Sequence, residues 1–435
     1  MTAGYTATVK DERSLPTGRF GRLGRLVSIG ARVGLDLMGS RDAQPSAQRA
    51  AEVLGTLRGL AAKVGQMASY VDGVIPEQHR TAYETAMGTL RSAAPRSPYS
   101  EIKSLIESEL GTSIDELFHT FEELPVASAS IGQVHRAIVV TSDAAQQQEV
   151  AVKVQHPGIV AALESDLANA SILEQMMAIG GTRRFNSQGM LEMIRTRFRE
   201  ELDYRLEAER QRAFAKVHAN DPTIRVPRVL DGLSSGRVLT SEFVRGASFE
   251  QAVNASESER RAWAETMWRF VFKGNIVGGM FNADPHPGNY LFSEGGVVTF
   301  LDYGCVQPIP ADQQPLAFEV HRSAIARDEL AFREAGKKLL ATRPGPLEVL
   351  VLRYLRRCFE PLFVSPFRMT REYARSLVED FKEMSTAALK MDAVHAFPMP
   401  TEILFMNRLQ FGFYSVLARL DVDVDYAAIE AEFLK

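Results

Sequence analysis

Five polar residues in a fixed order constrain this 435-residue chain more than any other feature. Lys153 lies in VAVKVQ, whose alternation predicts a strand, and Glu207 lies in EELDYRLEAERQ, which predicts a helix. Asp284 precedes Asn289 by five residues in ADPHPGN, and Asp302 ends the apolar segment VVTFLD. Each residue alone is more often a solvent-facing lysine, an acidic helix face or a turn residue. Their order is therefore what carries the prediction.

Protein kinases carry the same kinds of residue in the same order: a strand lysine in V-A-I-K, a helix glutamate, Asp-x4-Asn and Asp-Phe-Gly. The chain resembles them. The resemblance predicts an α+β, protein-kinase-like bilobal fold with an N-terminal helical extension and a mostly helical C-terminal lobe. The segment LTSEFVRG resembles the connection between the lobes, where backbone groups near Glu242 and Val244 would bind adenine.

This resemblance implies ATP and Mg²⁺ as cofactors. Lys153 would neutralise the α- and β-phosphates while Glu207 holds it in place. Asn289 and Asp302 supply oxygen ligands, which suit the hard Mg²⁺ ion. Asp284 would orient an attacking hydroxyl or water, or accept its proton.

Two departures separate the chain from ordinary protein kinases. The glycine-rich loop is replaced by an alanine-rich one, in which positive φ angles cost more free energy. The predicted nucleotide-binding residues of this loop are Ala127, Ser128, Ala129, Ser130, Ile131, Gly132 and Gln133. Upstream, Lys63 and Gln66 form a K-x-G-Q motif in an amphipathic helix, where three-residue spacing puts them on one face.

The motifs KVGQ, ASASIGQVHRA, VAVKVQHPG, ELDY, ADPHPGN and LDYG together resemble the UbiB/AarF family of atypical kinases. The resemblance implies that Lys63 and Gln66 fold over the active site toward Glu201 and Asp203, the E-x-D pair of the family. It implies Mg-ATP binding, ATPase activity and support of isoprenoid-quinone or other lipid metabolism, in place of protein phosphorylation in trans. Partner enzymes of lipid or quinone synthesis are implied as well.

The predicted domain organisation has four parts: a basic amphipathic segment at 1–45, a helical extension at 46–120, an N-lobe with inserted helices at 121–245 and a C-lobe at 246–435. Within it, we expect Ser100 to cap a helix that runs from Glu101 to Leu110. A second helix is expected over 187–219.

Charge and cysteine content bound the class of protein. A net charge of -4 argues against a nucleic-acid partner, and two cysteines, Cys305 and Cys358, predict a reduced intracellular protein. No secretory signal or membrane-spanning segment is visible. Residues 1–41 carry a net charge of +4, so this segment either lies on an anionic membrane or packs on the protein. A cytoplasmic protein, with peripheral membrane contact left open, is the expectation.

Two other functions stay open. Small-molecule phosphotransferases also use an Asp-x4-Asn loop, and a nucleotide-gated scaffold would bind ATP or ADP with negligible turnover. His286, which has no His or Cys cluster around it, is expected to fix the loop or to donate or accept a hydrogen bond near the site, and not to bind a metal.

Overall fold

The computed structural model describes residues 96–129, 131–140, 147–162, 164, 196, 199–282, 284–390 and 401–434. The predictions for residues 1–45, for most of the helical extension and for K-x-G-Q lie outside these ranges. So does Ser130 of the alanine-rich loop.

The N-terminal lobe is built on an antiparallel sheet. Its elements are α1 Tyr99–Leu110, α2 Ile114–Leu117, β1 Thr120–Phe121, β2 Ala127–Ser128, β3 Gly132–Val140, β4 Gln147–Gln155, α3 Tyr204–Val217 and β6 Val238–Glu242. Between α3 and β6, the short strand β5 Ile224–Arg225 joins a sheet of the C-terminal lobe. The sheet has the order β1–β3–β4–β6, and β2 pairs with the start of β3. The two long strands occur where the sequence alternation predicts them, so the strand-containing lobe is confirmed.

Strand β4 separates the core of this lobe from the cleft. Val150, Val152 and Val154 are fully buried and pack against Ile102 and Ile106 of α1. Side chains alternate between the two faces of a strand, so Lys153 projects to the opposite face. Burying the valines thus fixes the lysine on the cleft side.

Two predicted helix boundaries are wrong. Helix α1 begins at Tyr99 after Pro98, and Ser100 lies inside its first turn without a capping role. The helix expected over 187–219 is interrupted, because Asp203 has extended backbone geometry and its carboxylate accepts a hydrogen bond from the Arg205 N–H, which starts α3.

The C-terminal lobe is mostly helical, as predicted. Its elements are α4 Phe249–Ala252, α5 Glu257–Ile276, β7 Met280–Asn282, β8 Tyr290–Ser293, β9 Val297–Phe300, β10 Val306–Pro308, α6 Gln314–Ile325, α7 Glu329–Leu339, α8 Pro346–Cys358, α9 Glu360–Phe363, β11 Phe367–Arg368, α10 Arg371–Lys390, α11 Thr401–Leu420, β12 Asp423–Val424 and α12 Tyr426–Ala431. Helix α5 lies at the centre of the core, where Trp268 stacks on Phe272 and contacts Tyr426.

Short strands of this lobe hold the predicted catalytic segments. Strand β7 pairs with β10, and β8 pairs with β9. The ADPHPGN loop therefore joins β7 to β8, and the Asp-Tyr-Gly segment joins β9 to β10. Of the helices described, none has both the length and the apolar character that crossing a bilayer requires. Cys305 and Cys358 are buried and form no disulfide.

Candidate active site

Lys153 and Glu207 form a close ion pair between β4 and α3. The Lys153 Nζ lies 2.6 Å from Oε1 and 2.8 Å from Oε2 of Glu207. The Glu207 side chain is buried, whereas about a fifth of the Lys153 side chain (21%) stays exposed. The lysine therefore keeps one side open to the cleft.

Together, burial and the neighbouring charges shift the pKa values of both members of this pair upward. Burial by itself lowers the pKa of Lys153, but the carboxylates of Asp302 and Glu207 outweigh it and raise the pKa above its ordinary value. Burial raises the pKa of Glu207 above its ordinary value, and Lys153 opposes this rise without cancelling it. Both carboxylate oxygens of Glu207 accept hydrogen bonds from the Lys153 ammonium group.

Asp302 is the third member of this group. Its Oδ2 lies 3.8 Å from the Lys153 Nζ, and its Oδ1 accepts a hydrogen bond from the Gly304 N–H at 2.8 Å. A Cβ on Gly304 would lie 3.2 Å from the Asp302 Oδ1, a tight contact for any larger residue. Lys153, Glu207 and Asp302 thus meet as the sequence order predicts.

The ADPHPGN loop is fixed by its own hydrogen bonds. The Asn289 amide nitrogen donates to the Asp284 carbonyl at 3.2 Å, and the Asn289 carbonyl accepts from the Leu301 N–H at 3.0 Å. His286 accepts a hydrogen bond from the Gly288 N–H through Nδ1 at 2.9 Å, which confirms its expected loop-fixing role. The bound amide nitrogen leaves the Asn289 side-chain oxygen as the atom available to a cation.

Asn282 is a site residue that sequence reasoning missed. Its Oδ1 accepts from the Asp284 N–H at 3.1 Å, and its Nδ2 donates to the Asp302 carbonyl at 2.5 Å. One side chain therefore ties the catalytic loop to the Asp-Tyr-Gly segment. Its place two residues before Asp284, where ordinary protein kinases carry histidine, was the available signal.

Arg210 was missed as well. It lies one helical turn after Glu207 on α3, and its guanidinium donates to the Gly304 carbonyl at 2.9 Å and to Glu200 at 2.7 Å. Three-residue spacing places both side chains on one face of the helix. Arg210 therefore connects α3 to the residue that holds the Asp302 carboxylate.

The alanine-rich loop forms a hairpin beside the ion pair. Ala127 and Ser128 pair with Val134 and Gln133, and the Ala129 N–H donates to the Gly132 carbonyl at 2.8 Å. Ile131 packs against the small apolar cluster that contains Tyr204.

Packing inside the protein accounts for Gly132 and Gln133 without a side-chain contact to nucleotide. A Cβ on Gly132 would lie 2.5 Å from the Val154 carbonyl oxygen and 2.6 Å from the Tyr204 hydroxyl. The Gln133 side chain, predicted to bind nucleotide, is 1% exposed and faces the interior, where it contacts Ser97.

The E-x-D and inter-lobe residues occupy different surroundings. Glu201 is buried, whereas Asp203 is exposed and caps α3. The side chain of Glu242 is directed to Arg228, so an adenine contact there rests on the backbone; Val244 is buried beside it. Lys63 and Gln66 lie outside the described residues, so their approach to Glu201 and Asp203 stays a prediction.

The site offers few side chains that could hold a metal ion. Within the described ranges, no three His, Cys, Asp or Glu side chains come together in a ready-made cage. One carboxylate and one amide oxygen are instead the sparse set that Mg²⁺ uses when phosphates and water complete its shell. Asp302 and Asn289 therefore fit Mg²⁺.

The sequence is similar to a known protein family and to relatives in other organisms. The family model described as "ABC1 atypical kinase-like domain" matches residues 89–335. The mitochondrial atypical kinase COQ8B of Rattus norvegicus is 29% identical over 337 residues, which cover 73% of this chain and 62% of the relative. The AarF domain-containing protein kinase 1 of Gallus gallus is 30% identical over 60% of this chain and 50% of the relative.

A solved structure also resembles the chain. It is the complex of Rv3197 with erythromycin from Mycobacterium tuberculosis, with 29% identity and a TM-score of 0.61. The likeness covers 92% of this chain and 97% of that one. Against the COQ8B relatives, by contrast, the chain spans only about three fifths of their length.

Proposed function

The chain belongs to the ABC1 atypical kinase-like family, and from this premise we propose that it binds Mg-ATP and acts as an atypical kinase or ATPase. Its physiological role would lie in isoprenoid-quinone or other lipid metabolism. A cytoplasmic location is part of the same proposal, and whether the protein also contacts a membrane surface stays open.

The observation that carries the proposal is the meeting of Lys153, Glu207 and Asp302 around one cleft. The Lys153 Nζ lies 2.6 Å from Glu207 and 3.8 Å from Asp302. A largely buried salt bridge is weak evidence for a stabilising role, because the desolvation of two charges offsets much of their attraction. The exposed side of the ammonium group suits the phosphates of a nucleotide.

Each residue then has a defined task. Lys153 would bind the α- and β-phosphates, and Asp302 with Asn289 would hold Mg²⁺, which supplies charge neutralisation at the γ-phosphate. Asp284, fixed by Asn282 and by its own loop, would orient the attacking hydroxyl or water.

The proposal for the phosphoryl acceptor depends on the K-x-G-Q motif. We propose that Lys63 and Gln66 contact Glu201 and Asp203 and occupy the groove where a peptide substrate would lie. Turnover would then be ATP hydrolysis or transfer to a small or lipid acceptor.

Asp302→Asn tests the proposal. Losing one ligand charge at the metal should reduce Mg-dependent ATP hydrolysis roughly a hundredfold or more. The matched control is Asp312→Asn, which changes an exposed aspartate ten residues downstream. Phosphate release by purified protein measures both, and equal rates for wild type and Asp302→Asn would sink the assignment.

Binding without turnover defines the scaffold alternative. In that case calorimetry would show tight nucleotide binding, while phosphate release stays at background with and without anionic liposomes.

A small-molecule phosphotransferase is a second candidate, favoured by the likeness to the Rv3197–erythromycin complex. A macrolide carries several hydroxyl groups and is the first acceptor to test. Mass spectrometry of erythromycin incubated with protein and Mg-ATP would reveal an added phosphoryl group. A thermal shift with erythromycin alone would indicate binding without transfer.

A further inference from the structure

A buried polar network lies behind the alanine-rich loop, and the proposed chemistry uses none of its side chains. Its members are Ser97, Gln133, His135 and His156, which are 6%, 1%, 0% and 1% exposed. Buried polar groups cost free energy unless they are hydrogen-bonded, so four together in a small lobe require a reason.

One branch of the network ties Ser97 to strand β3. The Ser97 N–H donates to the Gln133 side-chain oxygen at 2.8 Å, and the Gln133 amide nitrogen lies 2.8 Å from the His135 Nε2. The His135 Nδ1 lies 2.8 Å from the Glu122 carbonyl oxygen. Because that carbonyl can only accept, Nδ1 carries the hydrogen and Nε2 accepts from Gln133. His135 is therefore neutral.

The other branch reaches the loop. The His156 Nε2 lies 3.0 Å from the Ala129 carbonyl oxygen. The backbone N–H of His156 donates to the Ile131 carbonyl at 2.9 Å. Because the Ala129 carbonyl can only accept, Nε2 donates, which leaves Nδ1 to accept from the Ser97 hydroxyl at 2.9 Å. His156 thus holds a carbonyl on each side of the turn.

The turn that His156 holds lies next to the ion pair. In the sheet register, Val134 pairs with Ala127 on one side and with Lys153 on the other. A shift of the hairpin would therefore move the backbone that faces the lysine. Alanines replace most of the glycines that ordinarily let this loop adapt, so an external anchor can set its conformation.

We propose that His156 is a positioning residue for the alanine-rich loop and that Ser97 couples it to the chain ahead of α1. The proposal rests on the proposed function, because the loop is taken to cover nucleotide phosphates. Ser97 lies two residues before α1 and follows the part of the sequence that contains K-x-G-Q. A displacement of the chain at Ser97 is transmitted through one imidazole to the loop.

Two substitutions at one position separate the links. His156→Gln keeps a donor near the Nε2 position and loses the Ser97 contact, whereas His156→Asn keeps an amide near Nδ1 and loses the Ala129 contact. We expect His156→Asn to raise the KM for ATP about five- to tenfold, the worth of one hydrogen bond, with kcat within about twofold of wild type. The matched control is His321→Asn, another buried histidine with a polar partner, in the C-lobe.

The Ser97 link is tested by a cycle. Ser97→Ala and His156→Gln each remove the same contact, so each should raise the KM about two- to threefold, and the double variant should be no worse than either alone. Additive effects would overturn the coupling between Ser97 and His156.

Amide hydrogen exchange gives a readout that needs no activity. The peptide covering residues 125–134 should exchange about five- to tenfold faster in His156→Asn and unchanged in His321→Asn. Equal exchange in the two variants overturns the positioning role, even if ATP binding is intact. Conversely, a wild type that neither binds nor hydrolyses Mg-ATP, while His156→Asn loosens this peptide alone, contradicts the proposed function and leaves the anchor standing.

Discussion

Two buried carboxylates in this protein have opposite surroundings. Glu207 contacts Lys153, whose side chain is 21% exposed. The Lys153 Nζ also lies 3.8 Å from a second carboxylate, that of Asp302. Glu430 is fully buried and accepts from the Trp268 Nε1 at 3.0 Å and the His321 Nδ1 at 2.7 Å. The first arrangement is left open for a ligand, whereas the second encloses every partner. A buried acidic residue thus indicates a site only where its partner still faces solvent.

Glu430→Ala should produce the largest effect. It removes the acceptor of two buried donors, so we expect a loss of about 3 kcal/mol in the free energy of unfolding. Urea denaturation measures this loss. ATP turnover per folded molecule should stay near wild type, and a turnover loss without destabilisation would contradict the structural role.

Lys153→Met should affect ATP turnover more than stability, the opposite of Glu430→Ala. ATP hydrolysis should fall roughly a hundredfold, because the phosphates lose their cation. Burial raises the pKa of Glu207, and without the lysine nothing in the pair opposes this rise.

The variant therefore makes a pH prediction with a definite sign. A carboxyl whose folded pKa lies above its unfolded value contributes stability that is present at low pH and lost as pH rises through the folded pKa. In thermal melts, the stability deficit of Lys153→Met relative to wild type should grow as the pH rises above the ordinary pKa of a glutamate. A deficit that does not change with pH would mean that Glu207 ionises freely.

Arg210→Gln removes a contact that supports Asp302 in the candidate active site. Without the contact to the Gly304 carbonyl, Asp302 should be held less firmly, and the Mg²⁺ concentration for half-maximal hydrolysis should rise about tenfold. The matched control is Arg212→Gln, which changes an arginine on the same helix that pairs with Asp231. If both variants have the same Mg²⁺ dependence, Arg210 does not position the metal ligand.

Two buried histidines predict the smallest effect. Burial lowers the pKa of His135 and of His218, although Asp221 partly opposes the shift at His218. The unfolded chain then binds more protons between the folded pKa values and about 6.5, so stability falls as pH drops through that window. His135→Gln should flatten the pH dependence of the melting temperature, and an unchanged slope would count against this source.

Much of the site could be predicted because its chemistry fixes residue types in a fixed order. Lys153, Glu207 and Asp302 meet as expected, and the strands and the helical character of the C-lobe follow from periodicity. Arg210 could not be singled out, since RLEAERQR offers three arginines on one helix and only the tertiary position of Gly304 selects among them.

The orientation of β3 shows a second limit. Its apolar residues would put Val134 and Ile138 inside, yet the structure buries Gln133 and His135 on the face that also carries Ala137 and Val139. A hydrophobic pattern cannot reveal polar side chains that are buried through mutual hydrogen bonds. Asp203 is a further case: a carboxylate inside a charged run ends up as a helix cap.

Gly132 carries a consequence for evolution and engineering. The position has no room for even one methyl group between the backbone of β4 and the Tyr204 hydroxyl, at distances of 2.5 and 2.6 Å. A randomised library screened for stable folding should return glycine alone there, while exposed Ala127 and Ala129, three to five residues earlier, tolerate many choices. Related sequences are expected to vary along this hairpin but to keep glycine at the position of Gly132.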